Sequence, residues 1–374
     1  MSRFVSLAID EIRDETPEAY SVFFQNPDPE RFAYLPGQYL TLKMLVHGES
    51  LRRAYSLSSS PLADDRLRVT IKRVDQGRVS NYIRDELSVG TVLELMPPMG
   101  RFTVTPDPEA ANHYVLIGGG SGVTPLLSIL KTVLIAEPKS RVSLWLGNRN
   151  RSSIIFLDEL ADLSATYAHR LHVYHSLSQP DDTWQGGKGR LDEEHLYQLV
   201  SDLFMTDELR KQYYICGPNG LMDAAQRALD KHAVNPSDVH REYYTAPLPT
   251  EAEVEAAHSK NDPKDAGVAS KADFFDGEKS YEMKDRQIRL KVDGVWSEVL
   301  VQENVMILDA ALEASLDPPY ACQSGICTTC RAMLLSGVVA MEETEGLSNS
   351  ELEEGFVLTC QCHPLSDDVE MEYK

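Results

Sequence analysis

Cys322, Cys327 and Cys330 fall within nine residues in the spacing C-x4-C-x2-C, and two further cysteines, Cys360 and Cys362, follow near the end of the chain. Three thiolates on one short loop with a fourth from a distant segment is the ligand spacing of a plant-type [2Fe–2S] cluster. The residues between them, Ser324, Gly325, Thr328 and Thr329, are small enough for backbone N–H groups to approach the sulfides, and Gly325 is free to take a positive φ. A four-cysteine zinc site more often sets two CxxC knuckles well apart. Five of the six cysteines lie in the last quarter of the sequence, unlike the scattered framework of a secreted disulfide protein. Spacing alone leaves the fourth ligand open, because on a strand Cys360 and Cys362 would share a face.

Four other stretches carry chemistry-bearing residues. Arg52-Arg53-Ala54-Tyr55-Ser56-Leu57 offers a cation for a pyrophosphate, an aromatic plane for a flat ring and a hydroxyl for a ring nitrogen. In Gly77-Arg78-Val79-Ser80-Asn81, Ser80 is expected to cap a helix whose first N–H groups face a phosphate. Gly118-Gly119-Gly120-Ser121-Gly122-Val123-Thr124-Pro125 joins an apolar run to a helical one, with glycines that let the backbone close on a pyrophosphate and a proline suited to a first helical turn. It is not the GxGxxG fingerprint of a standard dinucleotide fold. Cys216-Gly217-Pro218 ends a further apolar run, where α/β sheets place ligands.

The elements that must position these residues differ along the chain. Residues 1–108 alternate apolar and polar in short runs such as Phe4–Ile9, Tyr39–Met44 and Arg66–Ile71, which predicts an antiparallel β-barrel. Residues 109–246 change to buried strands at His113–Ile117, Val142–Leu146, Leu171–Tyr174 and Tyr213–Cys216 separated by helical stretches, which predicts a parallel α/β sheet. Residues 247–285 lose apolar periodicity and read as a flexible linker. In residues 286–374, strands at Gln287–Val292 and Glu298–Val301 and a helix at Met306–Leu312 lead into the cysteine loop, an α+β unit.

The formal charge is −22 over 374 residues, which disfavours nucleic acid or an anionic membrane surface as partner. Residues 286–374 hold 16 acidic and 5 basic side chains, half of that net charge. This is either a solvated acidic surface, as in salt-adapted proteins, or a docking face for a basic redox partner. No run of apolar residues is long enough for a membrane span, and a cytoplasmic protein is expected.

Taken together, Arg53-Ala54-Tyr55-Ser56, Gly77-Arg78-Val79-Ser80, Gly118 to Pro125, Cys216-Gly217-Pro218 and the cysteine loop resemble the ferredoxin–NADP reductase superfamily with a C-terminal β-grasp [2Fe–2S] ferredoxin domain. Within it, the set is most like the reductase subunits of phenylacetyl-CoA epoxidases. The resemblance implies FAD at the first two motifs and NADPH or NADH at the next two. It implies that Ser56 and Cys216 help hold the hydride-bearing carbon, that Glu242 lies by the nicotinamide, and that Tyr244 covers the flavin. It also selects Cys360 as the fourth ligand, since the family's last cysteine precedes Gln, here Gln361.

Electrons would then pass singly from FAD through the cluster to a partner oxygenase, in the nearest family a diiron enzyme acting on an aryl-CoA thioester. The chain's one E-x-x-H, Glu255 to His258, does not make the paired motif a diiron bundle needs, so oxygen insertion is expected on another protein. Reductases of ring-hydroxylating and steroid oxygenases share these motifs, and a redox sensor or electron carrier with a vestigial nucleotide site is a more distant reading. Arg149 and Arg151 are candidates for a 2′-phosphate. Leu177 stands where plant reductases carry a selecting arginine, so the lean to NADPH comes from the resemblance alone.

Overall fold

The computed structural model describes residues 3–26, 28–244, 267–269, 284–344, 346–347 and 349–373. The chain divides into two compact units, residues 1–244 and 245–374.

The first unit begins with six antiparallel strands, β1 (Val5–Thr16), β2 (Ala19–Gln25), β3 (Tyr39–Val46), β4 (Glu49–Ser56), β5 (Arg66–Lys72) and β6 (Val92–Met99), in the order β4-β3-β6-β1-β2-β5. A bridge between Leu57 and Val69 joins the two edges and closes the barrel. The alternation read from the sequence is the inside and outside of that barrel: Tyr20, Val22 and Phe24 point into the core, while Ser21 and Phe23 line the other face. Helix α1 (Arg78–Glu86) packs Val79 and Ile83, one turn apart, onto the same core.

Next come β7 (Asn112–Gly119), α2 (Val123–Ala136), β8 (Arg141–Asn148), α3 (Leu157–Thr166), β9 (Leu171–Leu177), β10 (Gly187–Lys188), α4 (Glu193–Thr206), β11 (Arg210–Cys216), α5 (Asn219–Lys231) and β12 (Val239–Glu242). Their strands form one parallel sheet in the order β10-β9-β8-β7-β11-β12. Helices cover both faces, which is why Val115, Leu116 and Ile117 are all fully buried instead of alternating. The chain winds outward from β7 in one direction and then in the other, so the switch point lies between the ends of β7 and β11, where open α/β sheets bind ligands.

Helix α2 is buried at every position from Val123 to Leu134 because it is sandwiched between sheet and barrel. Its sheet-facing leucines Leu126, Leu127 and Leu130 are fully buried, each contributing roughly 1.5–3 kcal/mol. Its barrel-facing side is polar and fully bonded. Ser128 donates to Ser59 O at 2.6 Å, Thr132 and Ser60 hydroxyls meet at 2.7 Å, and Lys131 reaches Asp64 at 2.8 Å and Glu159 at 3.0 Å. Arg68 completes the seam, pairing with Glu159 at 2.7 Å and stacking on Phe156 at 4.8 Å. Burial raises the Glu159 carboxyl, but the hydrogen bonds and charges of Arg68 and Lys131 outweigh it and hold the group below its usual range.

The second unit contains a mixed sheet ordered β15-β14-β20-β16-β18, built from β14 (Arg286–Val292), β15 (Val295–Val301), β16 (Arg331–Ser336), β18 (Phe356–Leu358) and β20 (Glu370–Tyr373). A smaller sheet joins β13 (Gly267–Ala269), β17 (Val338–Met341) and β19 (Cys362–Pro364). Helix α6 (Ile307–Glu313) buries Ile307, Leu308, Ala310 and Ala311 in the core.

β13 corrects part of the linker expectation, since Gly267–Ala269 pairs in parallel with β17. Three small residues carry too short a pattern to register as a strand in sequence. The remainder of 247–283, including Glu255 and His258, lies outside the described residues. Among the described residues no helix is long and apolar enough to cross a membrane.

Candidate functional site

At the switch point three strand ends stand side by side. Cys216 is in register with Gly118 on β7 and with Glu242 on β12, so Glu242 lies next to Cys216 because the strands are neighbours. Ser56, the last residue of β4, meets this edge from the barrel. Its Oγ lies 3.2 Å from Glu242 Oε2 and 3.0 Å from the Tyr244 hydroxyl, which lies 2.9 Å from Thr124 Oγ1. Thr124 in turn donates to Ser121 O at 2.9 Å.

The hydrogens in this group can be assigned by counting donors. Thr124 spends its proton on Ser121 O, so Tyr244 donates to Thr124, while the Ser56 hydroxyl donates to Glu242. Burial pushes the Glu242 carboxyl up to about 8 against the opposing bond from Ser56. Burial likewise raises the Cys216 thiol and the Tyr244 hydroxyl well above their usual values. Tyr244 as a residue is 39% exposed. Its hydroxyl is the end turned in onto Ser56 and Thr124, so the open surface belongs to the rest of the residue.

Packing explains the glycine turn better than the sequence did. A Cβ on Gly122 would lie 1.9 Å from Cys216 O, and one on Gly119 would lie 3.0 Å from Pro218 Cδ. These two glycines let the start of α2 close on the end of β11. Gly120, at φ +55°, faces the barrel, where a Cβ would sit 3.9 Å from Lys72 Nζ. Pro125 occupies the first turn of α2, and Pro218 caps α5 with Gly217 packed against Gly119.

A second group lies on the barrel. α1 starts at Arg78 with Gly77 as its cap, with no side-chain cap and no acidic residue in its first turn, so its leading N–H groups suit an anion. Ser80 does not cap this helix, contrary to the sequence expectation. It sits one turn inside, buried, and its Oγ accepts from Val74 N at 3.1 Å. A Cβ on Gly77 would come within 2.6 Å of that Oγ, so the tight turn leaves glycine alone there. Arg78 pairs with Glu49, and Arg53, which donates to Arg52 O at 2.7 Å, acts on the same carboxylate. Tyr55 packs half-buried on the barrel core, with Ala54 between it and Arg53 on β4. Two cations, a helix start and an aromatic side chain fit a flavin with its pyrophosphate.

In the second unit the cysteines form two pairs. Cys322 Sγ accepts from Cys327 N at 3.3 Å and Ser324 N at 3.4 Å, and Cys322 N donates to Cys327 Sγ at 3.4 Å. Cys330 and Cys360 sulfurs lie 3.2 Å apart. Among the described residues no three His, Cys, Asp or Glu side chains converge as a single metal ion needs. Two pairs of thiolates with backbone N–H donors fit a two-iron cluster better than one tetrahedral zinc. Gly325 takes φ +74°, and a Cβ there would press on Gln361 and Glu343 at 3.0 Å.

Cys360 and Cys362 do not share one strand. Cys360 sits in a 3-10 turn, Thr359–Gln361, and Cys362 begins β19, fully buried in the core. Only Cys360 meets Cys330.

Three family models cover the chain: an oxidoreductase FAD-binding domain matches residues 7–104, an oxidoreductase NAD-binding domain matches 116–227, and a 2Fe–2S iron–sulfur cluster binding domain matches 290–365. One of the subunits of the 1,2-phenylacetyl-CoA epoxidase of Escherichia coli K12 is 36% identical, over 100% of this chain and 98% of that one. The chain belongs to the ferredoxin–NADP reductase superfamily, in the branch with a C-terminal [2Fe–2S] domain.

Other members of this reductase branch have the same span. The ferredoxin reductase component of the 3-ketosteroid-9-alpha-monooxygenase of Rhodococcus rhodochrous is 32% identical over 100% of this chain and 97% of that one. Phthalate dioxygenase reductase has the same fold, with a TM-score of 0.57 at 22% identity, over 99% of this chain and 98% of that one. The reductase accordingly binds FAD, a nicotinamide nucleotide and a [2Fe–2S] cluster.

The structure gathers Ser56, Thr124, Cys216, Glu242 and Tyr244 into one group, and Arg53 and Gly77 to Ser80 into another. Arg149 belongs to neither; it lies in the loop after β8 and pairs with Glu18 at 3.6 Å. Residue pattern alone does not mark Glu242 and Tyr244, because β12 is four residues, three half-buried and Arg241 exposed, without an apolar pattern. Lys72 and Glu18 were missed altogether. Lys72 could have been noticed as the cation ending the strand that leads to Gly77.

Proposed function

We propose that this reductase takes a hydride from NADPH at the strand-end group and sends electrons one at a time through its cluster to an oxygenase, the phenylacetyl-CoA epoxidase. What supports the hydride site most directly is the chain Glu242–Ser56–Tyr244–Thr124, which draws on both domains of the first unit at the switch point. Bound FAD supplies the redox chemistry, accepting the hydride and returning electrons singly. Ser56 and Cys216 would hold the nicotinamide carbon in place, Glu242 would lie beside it, and Tyr244 would cover the flavin with its hydroxyl anchored on Ser56 and Thr124. Arg53, Ala54, Tyr55 and Gly77 to Ser80 carry the flavin and its pyrophosphate, and Cys322, Cys327, Cys330 and Cys360 carry the cluster. The domains run 1–108, 109–246 and 286–374, with 247–285 between the last two, and the protein works in the cytoplasm.

The epoxidase assignment rests on the full-length similarity to the Escherichia coli protein, and a diiron partner follows from the same reading. The steroid monooxygenase reductase is nearly as similar, so the partner needs its own test. Mixed rapidly with NADPH, the holoenzyme should bleach its flavin absorbance first and its cluster absorbance after; failure of the flavin to bleach would sink the reductase role. Reconstitution with purified oxygenase components should then give turnover of phenylacetyl-CoA. Turnover with a steroid oxygenase alone would reassign the partner.

A further inference from the structure

Glu18 bridges barrel and parallel sheet, facing a cation from each. It occupies the two-residue turn between β1 and β2, and its backbone is fixed there: its carbonyl accepts from Arg73 N at 2.7 Å and its N–H donates to Thr16 Oγ1 at 3.2 Å. One carboxylate oxygen faces Lys72 Nζ at 3.7 Å and the other faces Arg149 at 3.6 Å. Lys72 ends β5 and overhangs Gly120 of the glycine turn. Arg149 follows β8 on the same carboxyl edge, where its carbonyl accepts from Gln179 N at 2.7 Å.

We propose that Glu18 is an internal competitor for the phosphates of the nicotinamide nucleotide, holding Lys72 and Arg149 in the free enzyme and giving them up when nucleotide binds. This rests on reading the Gly118–Gly122 turn as the phosphate end of the nucleotide site. Both contacts are longer than a good hydrogen bond, and all three side chains are more than one-third exposed, so each pair is weak and readily exchanged. A pyrophosphate presents more charge than one carboxylate and can draw Lys72 away. A 2′-phosphate offers Arg149 the same exchange. Glu18 thus lowers nucleotide affinity without touching the reacting atoms, and it favours release of the oxidised nucleotide after each hydride transfer.

The test is titration of the FAD- and cluster-loaded protein with NADP+ and with NAD+, followed by the perturbation of flavin absorbance. Glu18→Gln should lower Kd by about three- to tenfold at low salt, the effect of one or two exposed ion pairs, with the gain shrinking as salt rises. The gain should be larger for NADP+, should be lost in Glu18→Asp, and should vanish when Lys72 and Arg149 are both alanine. Unchanged or weaker binding by Glu18→Gln, with normal binding by the unaltered protein, overturns the competitor role alone. An unaltered protein whose flavin spectrum ignores both nucleotides overturns the competitor role and the nucleotide-site reading together.

Discussion

The cysteine loop and the strand-end group of this reductase are assembled in opposite ways. The cluster loop takes three of its four cysteines from nine consecutive residues, and the backbone N–H groups between them turn toward sulfur. The strand-end group joins Ser56 to partners 186 and 188 residues away, and it exists only because two folded domains meet. A local loop is vulnerable to loss of one ligand, whereas a long-range group is vulnerable to anything that shifts one domain against the other.

Substitutions in each region can break or sharpen that contrast. The largest effect should come from Cys360→Ser, which removes half of a sulfur pair: bound iron and the EPR signal of the reduced protein should be lost, and Cys362→Ser should leave both intact. The reverse result would exchange the two assignments. On the other side, Gly122→Ala drives a Cβ into Cys216 O and should cost about 3 kcal/mol, read as a fall in urea midpoint with loss of bound FAD. An unchanged midpoint would mean α2 can move away from β11 freely.

Glu159→Ala takes from Arg68 its carboxylate partner and from Lys131 one of two, leaving Lys131 on Asp64 and Arg68 on Ser58 O, and because the carboxylate is partly exposed the expected cost is about 2 kcal/mol. Cluster content should not change. Ser56→Ala removes the hub of the hydrogen-bond chain and should slow flavin bleaching by NADPH about tenfold with little effect on the urea midpoint. Equal bleaching rates would exclude Ser56 from positioning the nucleotide.

The smallest effect concerns pH. Glu242 is raised in the folded protein, so between about 4.5 and 8 the folded chain keeps a proton that the unfolded chain has lost, and stability from this group falls as pH rises through that window. Glu242→Gln should flatten the decline by roughly 2–4 °C in thermal midpoint across it. Identical pH profiles would show that Glu242 is already ionised in the folded state.

Legibility in sequence follows the same division. The cysteine spacing, the alternation of the barrel strands and the apolar runs of β7, β8 and β11 were readable because each is a pattern within one element. Glu242 and Tyr244 were not readable from pattern alone, since their significance comes from β12 lying beside β11. The glycines at 119 and 122 were visible as a turn, but their reason, close approach to Cys216 and Pro218, needs the third dimension. Ser80 misled because Ser three residues after a glycine looks like a cap when the helix start is unknown.

The serine run after the barrel has an implication for descent. Ser58, Ser59 and Ser60 follow the single bridge that closes the barrel, and α2 of the neighbouring domain binds the last two. The barrel's closure is therefore finished by a helix encoded some seventy residues later. A genetic crossover between those two points would have to bring matching hydroxyl partners with it, so flavin and nucleotide domains should travel through evolution as one inherited block, with natural fusions and swaps falling after Tyr244 instead.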